Sequence, residues 1–463
     1  MGTVPHDAGA PPNVLVILTD DQGWADFGPN NPAVYTPNMD ALAAEGVLFS
    51  AHYSMPQCTP TRVALMTGRY PGRFGGAAMQ ASNAPAFPLG TPTLASMFAA
   101  EGYDTHLCGK WHLGSSREHG PGRFGFESSY GSLAGAVGMY DHRYREGEFA
   151  ETWHRDGELL QGHENGVHAT DLLTSDAVAF LEEERERPFF LYLAYQSVHT
   201  PLDERGPFVE RPTQLDPEDP TRWLGEDEIP WFHDAEGKIQ AERDPERRLF
   251  LAALHHLDWS LGQVLEALER TGQREQTLVL FSSDNGPQVN WPGKAYPDDL
   301  KLTDFNQPSP WRGKKVDVWE GGIRVPGLAS WPGTLTPGSV DEPVHVVDWF
   351  PTLAALLGHE PEEPLALDGT SLLELLRDRT PLPERSLYWT WSSRTNRWAL
   401  RRGRWKLVHY GQDVPDEPAD WALFDLEVDP WEQEDLAASR PGLLAELHAS
   451  FLEQRALDRT REG

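Results

Sequence analysis

The sequence predicts an α/β protein with a large mixed, mostly parallel sheet sandwiched by helices and a smaller C-terminal α+β subdomain containing an antiparallel sheet. Short, almost wholly apolar runs recur up to Phe281, as strands buried on both faces require. Amphipathic segments lie between them, which implies right-handed βαβ crossovers. From Ser386 the pattern changes to aromatic-rich alternations such as SLYWTWSS, RWALRRGRWKLVHY and WALFDLEVDP, which read as antiparallel strands.

The spacing predicts strands over Val14 to Leu18, Tyr103 to Leu107, Phe189 to Tyr195 and Thr277 to Phe281. Helices are expected over Pro37 to Glu45, Thr93 to Glu101, Ala169 to Glu184 and Arg247 to Glu269, most of them closed by Gly or a turn. Arg205 to Glu246 is rich in Pro, Asp, Glu, Arg and Trp without a sustained period, and reads as a surface insertion or a lid. The acidic, Pro-containing run Pro361 to Pro364 ends the α/β pattern. It divides the chain into a catalytic domain, 1–360, and a subdomain, 361–463, whose small sheet a final helix, Leu443 to Gln454, would cover.

With 463 residues there is ample chain for a large core, and the hydrophobic fraction of 39% and aromatic fraction of 10% suit a globular fold. Lys and Arg number 39 against 71 Asp and Glu, a net charge of −32 that repels phosphate backbones and anionic lipid headgroups. Nucleic acid and membrane surfaces are therefore poor partners. The two cysteines, Cys58 and Cys108, exclude a disulfide scaffold and a Cys-rich zinc module. Met1 to Pro12 contains no apolar core behind a basic start, so the chain as written is expected in the cytoplasm; a signal removed beforehand would make it periplasmic or secreted.

The first strand runs into Asp20 and Asp21, and the strand Thr277 to Phe281 runs into Ser282, Ser283, Asp284 and Asn285. Both end where open α/β sheets bind ligands. Three carboxylates and an amide form a hard, all-oxygen set suited to Ca²⁺ or Mg²⁺, although Asp and Asn-Gly also commonly cap turns. In Cys58-Thr59-Pro60-Thr61-Arg62, Thr59 as N-cap and Pro60 at the first helical position would start a helix. Cys58 would then lie just ahead of its positive end, with Arg62 one turn along.

Here the chain resembles the type I, formylglycine-dependent sulfatases of the alkaline phosphatase superfamily. The resemblance is carried in family order by Asp20-Asp21-Gln22-Gly23-Trp24, by CTPTR followed by MTGRYP, and by Gly109 to Gly114. It continues through Ser197-Val198-His199-Thr200-Pro201, Ser283-Asp284-Asn285-Gly286, and Arg312 to Lys315 leading into Trp319 to Arg324. Thr61 departs from the commoner Ser of this motif. The resemblance implies that Cys58 is oxidised to formylglycine by a formylglycine-generating enzyme. It also implies Ca²⁺, in preference to Mg²⁺, held by Asp20, Asp21, Asp284, Asn285 and the modified residue 58.

By the same resemblance, Arg62 supports residue 58 and the carboxylates, and Lys110 bridges nucleophile and sulfate. His112 takes the proton that drives sulfate elimination, while His199 and Lys315 face the ester oxygen, His199 as general acid. Lys315 is chosen over Lys314 by its spacing to Glu320, and Lys314 is expected in solvent. Cys108 and the helical His255, His256 and Asp258 are expected to be structural. Trp24 and Trp111 either line the pocket or pack behind it. The implied function is hydrolysis of small-molecule or carbohydrate sulfate monoesters, with phosphonate monoester or phosphodiester hydrolysis as the alternative. A thiolate hydrolase using Cys58 directly is a further reading, which leaves the carboxylate cluster without a purpose.

Overall fold

The computed structural model describes residues 11–204, 237–296, 300–307, 310–361, 365–392, 395–414 and 417–459. Most of the expected insertion between Arg205 and Glu246, and the end of the Pro361 to Pro364 run, lie outside the described residues. Among the described residues the main sheet has ten strands in the order β11-β2-β10-β9-β1-β8-β4-β5-β6-β7. These are β1 (Asn13–Thr19), β2 (Val47–Phe49), β4 (Asp104–Lys110), β5 (Ser128–Ser132), β6 (Trp153–Arg155), β7 (Glu158–Leu159), β8 (Phe189–Ala194), β9 (Thr277–Ser283), β10 (Gly327–Ser330) and β11 (Gly338–Val340). Two short strands, β3 (His52–Tyr53) and β12 (Val344–His345), pair separately.

The central strands β9, β1, β8, β4 and β5 are all parallel, while β10, β2, β6 and β7 supply the antiparallel pairings. The four expected strands are β1, β4, β8 and β9. Their neighbours were not legible because three-residue strands and the Gly- and Ser-containing β5 and β10 have no apolar run. On β1, alternation sends Val14, Val16 and Leu18 into one core and Leu15 and Ile17 into the other. The first core takes helices α2 (Cys58–Thr67), α3 (Leu94–Ala100) and α7 (Trp349–Leu357). The second takes α1 (Pro37–Ala44), α4 (Ala169–Glu182) and α5 (Pro245–Arg270). Thr93 caps α3 in a capping box with Ser96, and Asp244 caps α5 through Glu246 and Arg247.

A four-stranded antiparallel sheet, β13 (Ser386–Trp391), β14 (Asn396–Arg402), β15 (Trp405–Gly411) and β16 (Ala422–Asp425), follows the short helices α6 (Glu320–Ile323) and α8 (Leu373–Asp378). It is covered by α9 (Pro441–Ala456). Its side chains continue the first core, and Lys406 on β15 forms buried ion pairs with Glu320 and Glu432. No helix among the described residues is long and apolar enough to cross a membrane.

Asp258 and His256 on α5 bond to neighbouring segments, and His255 packs against the Tyr35 ring. Asp258 accepts the backbone N–H groups of Asn38 and Met39 at the start of α1, at 3.1 and 2.8 Å. His256 lies between Glu204 and Asp171, at 3.0 and 2.9 Å, and so ties α5 to α4 and to the segment after β8. The His168 ring accepts the Thr170 N–H at Nδ1, so its neutral form carries the proton on Nε2, 3.3 Å from Glu204. The cluster is therefore an ion-pair network.

Burial alone would lower the His256 pKa, but the two carboxylates outweigh it and raise it from 6.5 to about 10. Burial likewise disfavours ionised Glu204, but His168 and His256 hold its carboxyl well below 4.5. The His256 contribution to stability is complete below pH 6.5 and lost as pH rises through 10; that of Glu204 is present above pH 4.5 and lost on acidification. His256→Gln is therefore expected to cost roughly 3 kcal/mol by removing the buried positive charge that faces Glu204 and Asp171. In melting curves measured across pH, its Tm deficit should be widest between pH 4.5 and 6.5 and narrow towards pH 10. A pH-independent deficit would contradict the charged network.

Candidate active site

The site lies at the carboxyl ends of four adjacent parallel strands, β9, β1, β8 and β4. Each contributes residues at or just beyond its end: Asp284 and Asn285, Asp20 and Asp21, His199, and Lys110 with His112. Helix α2 approaches the same point end-on. It begins at Cys58 itself, with Gln57 in the cap position and no side-chain cap bond, which corrects the expected start by two residues. Thr59 does not cap: its hydroxyl donates to the His112 carbonyl at 3.3 Å and accepts the Ser82 N–H at 3.2 Å. Cys58 therefore occupies the first helical position, where backbone N–H groups and the helix dipole favour an electron-rich atom. Thr61 bonds the Met55 N–H at 2.9 Å and the Asp284 carbonyl at 2.5 Å. A Ser hydroxyl would make the same bonds, so the departure from the commoner residue leaves this geometry intact.

Arg62 is fully buried. It donates to Asp284 at 3.0 Å, to the Lys110 carbonyl at 2.8 Å and to the Tyr192 hydroxyl at 3.3 Å, and lies 3.7 Å from Asp20. Lys110 Nζ sits on Asp20 at 2.5 Å, also with no exposure. Lys315 pairs with both oxygens of Asp21, at 2.7 and 2.8 Å, and Asn285 donates to Asp21 at 2.7 Å. His199 Nε2 is 3.7 Å from Asp21, and its Nδ1 bonds the Thr200 carbonyl. Asp20 Oδ1 and Asn285 Oδ1 are buried with no hydrogen-bond partner among the described residues. Two such orphaned acceptors in one cluster are costly unless something electropositive faces them.

The loop carrying Lys315 is held on both sides. Lys315 N donates to the Pro287 carbonyl and Val316 N to that of Pro56, while Arg397 on β14 bonds the Val316 carbonyl. Val316 itself has φ +71°, a conformation costly for a β-branched residue, and Asp21 and His112 also have positive φ, +64° and +55°. Three strained residues around one site mark a backbone constrained by its surroundings. Gly135 packs against the His112 ring so closely that a Cβ would lie 2.5 Å from Cε1 and Nε2.

Burial raises the Cys58 thiol above its usual range despite the nearby Lys110 and Lys315, so an unmodified cysteine is a neutral thiol at neutral pH. That removes the support for direct thiolate attack. Burial, then Lys110 and Arg62, hold the His112 imidazole well below 6.5, so the ring is neutral and able to accept a proton. Burial and the repulsion of Asp20 outweigh Arg62 and raise Asp284 to about 6. Cys58, His112, His199 and Lys315 open onto a pocket of about 540 Å³.

The sulfatase family model matches residues 12–359, and a model described as N-sulphoglucosamine sulphohydrolase, C-terminal, matches residues 311–456. The chain belongs to the sulfatase family. Arylsulfatase J of Mus musculus is 29% identical over 94% of this chain and 74% of its own length. N-acetylgalactosamine-6-sulfatase of Homo sapiens is 32% identical over 80% of this chain and 66% of its own. The solved structure of Ps i-CgsB in complex with k-i-k-neocarrahexaose superposes with a TM-score of 0.77 at 28% identity, covering 97% of this chain and 94% of that one. This sulfatase hydrolyses sulfate esters, with the formylglycine-dependent family's fold.

The sulfatase brings all of the expected site residues to one place. Lys314 departs from expectation: it is half-buried and lines the pocket beside Lys315. Trp111 is fully buried behind the site against Phe124 and Phe126, and Trp24 packs on Trp311. Cys108 is buried, its thiol donating to the Leu173 carbonyl. Sequence reasoning missed Tyr192, which is hidden inside an apolar strand, and the loop 288–296, where Trp291 and Tyr296 line the pocket. Only the aromatic content of that loop could have pointed to it.

Proposed function

We propose that this sulfatase cleaves sulfate monoesters of carbohydrates using formylglycine formed from Cys58 and a Ca²⁺ ion held by Asp20, Asp21, Asp284 and Asn285. The carrying observation is the pair of orphaned oxygens, Asp20 Oδ1 and Asn285 Oδ1, within a buried all-oxygen cluster. Donors of this kind suit a hard cation, and three carboxylates with an amide oxygen favour Ca²⁺. Bound there, the ion would lower the pKa of a formylglycine hydrate hydroxyl and add positive charge opposite the sulfate oxygens.

The chain's own residues provide the rest. Arg62 orients Asp284 and Asp20 and, through the Lys110 carbonyl, fixes the turn that presents His112. Lys110 and Lys315 set cationic charge against residue 58 and the sulfate. His112, held neutral, takes the proton whose removal releases sulfate. His199 turns Nε2 towards the departing alcohol oxygen, its ring fixed by Nδ1–H donation to the Thr200 carbonyl. Burial, then Lys315, keep the ring neutral without substrate, so Nε2 must first gain a proton, which the negative charge of the bound sulfate favours, before passing it to the leaving oxygen. A formylglycine-generating enzyme would act on the Cys58 to Arg62 segment before it is buried. Carbohydrate substrates are supported by the similarity to N-acetylgalactosamine-6-sulfatase and to Ps i-CgsB, whose structure contains k-i-k-neocarrahexaose.

The test is kcat/KM for p-nitrophenyl sulfate, a sulfated sugar and a phenyl phosphonate ester, on enzyme produced with a formylglycine-generating enzyme. Both sulfates should exceed the phosphonate by at least about tenfold. Faster phosphonate cleavage would overturn the reading.

A further inference from the structure

The pocket departs sharply from the protein around it. The chain carries 71 Asp and Glu, yet among the described residues none of the pocket-lining side chains is acidic. Beyond Lys315, which is neutralised by Asp21, the wall contains Arg145 and Lys314, and neither forms an ion pair with a carboxylate among the described residues. Three other exposed arginines of the same region, Arg117, Arg143 and Arg155, do form such pairs.

Arg145 is exposed and is held by rings. Its guanidinium carbon lies 5.6 Å from the centroid of Tyr144, 5.9 Å from Trp291 and 5.8 Å from Tyr296. Cation–π contacts of this kind hold the guanidinium beside the rings, where it also hydrogen-bonds the Tyr296 side chain, and its remaining N–H groups are available to an oxyanion. The three rings pack on one another, Trp291 on Tyr296 at 6.3 Å and Tyr144 on Tyr296 at 6.1 Å. Trp291 also stands against His199, with 6.4 Å between centroids, so the wall begins where the alcohol leaves.

We propose that Tyr144, Arg145, Trp291 and Tyr296 form a subsite for a second anionic group on the leaving part of the substrate. The preferred substrate is then a sulfated sugar that bears another sulfate or a carboxylate. The inference rests on the sulfatase reading of the preceding subsection. The aromatic faces take the C–H face of the sugar, and Arg145 takes the anion through paired N–H bonds. Placement beside His199 makes the group selective for what surrounds the scissile ester.

The experiment compares kcat/KM for three sugars of one skeleton: the monosulfate, the same monosulfate with a second O-sulfate, and the same monosulfate with a carboxylate in place of a neutral substituent. Wild-type enzyme, Arg145→Gln and Arg145→Lys are measured on each. Wild type should favour at least one dianionic sugar by tenfold or more, and which one identifies the anion. Arg145→Gln should bring that preference close to one, chiefly through KM, and Arg145→Lys should keep only part of it because the paired geometry is lost. A wild-type preference at or below one, or a preference unchanged in Arg145→Gln, overturns the subsite while leaving sulfatase activity standing. No turnover of any of the sugars or of p-nitrophenyl sulfate by aldehyde-bearing enzyme overturns the underlying reading, and the subsite with it.

Discussion

Cys58→Ala is expected to lower kcat/KM for sulfate esters by at least about 10⁴-fold, which is about 5.5 kcal/mol of transition-state stabilisation. The loss should fall on kcat, because residue 58 supplies the attacking group and the remaining cationic wall still binds sulfate. The fold should survive. Cys58 is small and sits at the first turn of α2, where Ala is a good helix former, and the deleted sulfur leaves a void of only one atom. Kinetics and a thermal melt of the same preparation check both halves. Retention of more than one per cent of activity would remove residue 58 from the chemistry.

Cation depletion is the second large effect. EDTA treatment of matured enzyme should leave at most about one per cent of activity, and Ca²⁺ should restore it more fully than Mg²⁺. The pH dependence follows from Asp284. Burial and Asp20 raise its pKa from 3.8 to about 6 in the cation-free site, so ionising it opposes folding, and the cation-free protein loses stability as pH rises from 3.8 through 6. A bound cation requires the ionised carboxylate and relieves that cost. The Tm gain on adding Ca²⁺ should therefore be large at pH 7 and shrink below pH 6. Calcium titrations followed by melting at pH 5 and pH 7 check this; equal gains at both would remove Asp284 from the site.

Much of this was legible in the sequence because it is local. The strands β1, β8 and β9 show as apolar runs, and the chemistry follows their last residues directly, as in Thr19-Asp20-Asp21 and Ser283-Asp284-Asn285. What was not legible depends on distant pairing. Strand β10 has no apolar run of its own and exists through its antiparallel partners β9 and β2. The start of α2 was displaced by two residues because Thr59 spends its hydroxyl on the His112 carbonyl and Ser82, contacts made from distant segments. Tyr192 looks like any core aromatic until Arg62 meets its hydroxyl, and Gly135 matters only because the His112 ring fills the space beside it. The split between Lys314 and Lys315 was decided by spacing, but only the structure reveals that both line the pocket and that Asp21 neutralises one of them.

The central claim is that Cys58 does its work as an aldehyde. Intact-peptide mass spectrometry of the Cys58-containing peptide, on enzyme whose turnover has been measured in the same sample, tests it most directly. The expected result is a peptide carrying formylglycine, in a fraction that scales linearly with specific activity across preparations made with and without the maturation enzyme. Full activity in a sample containing only unmodified thiol would contradict it.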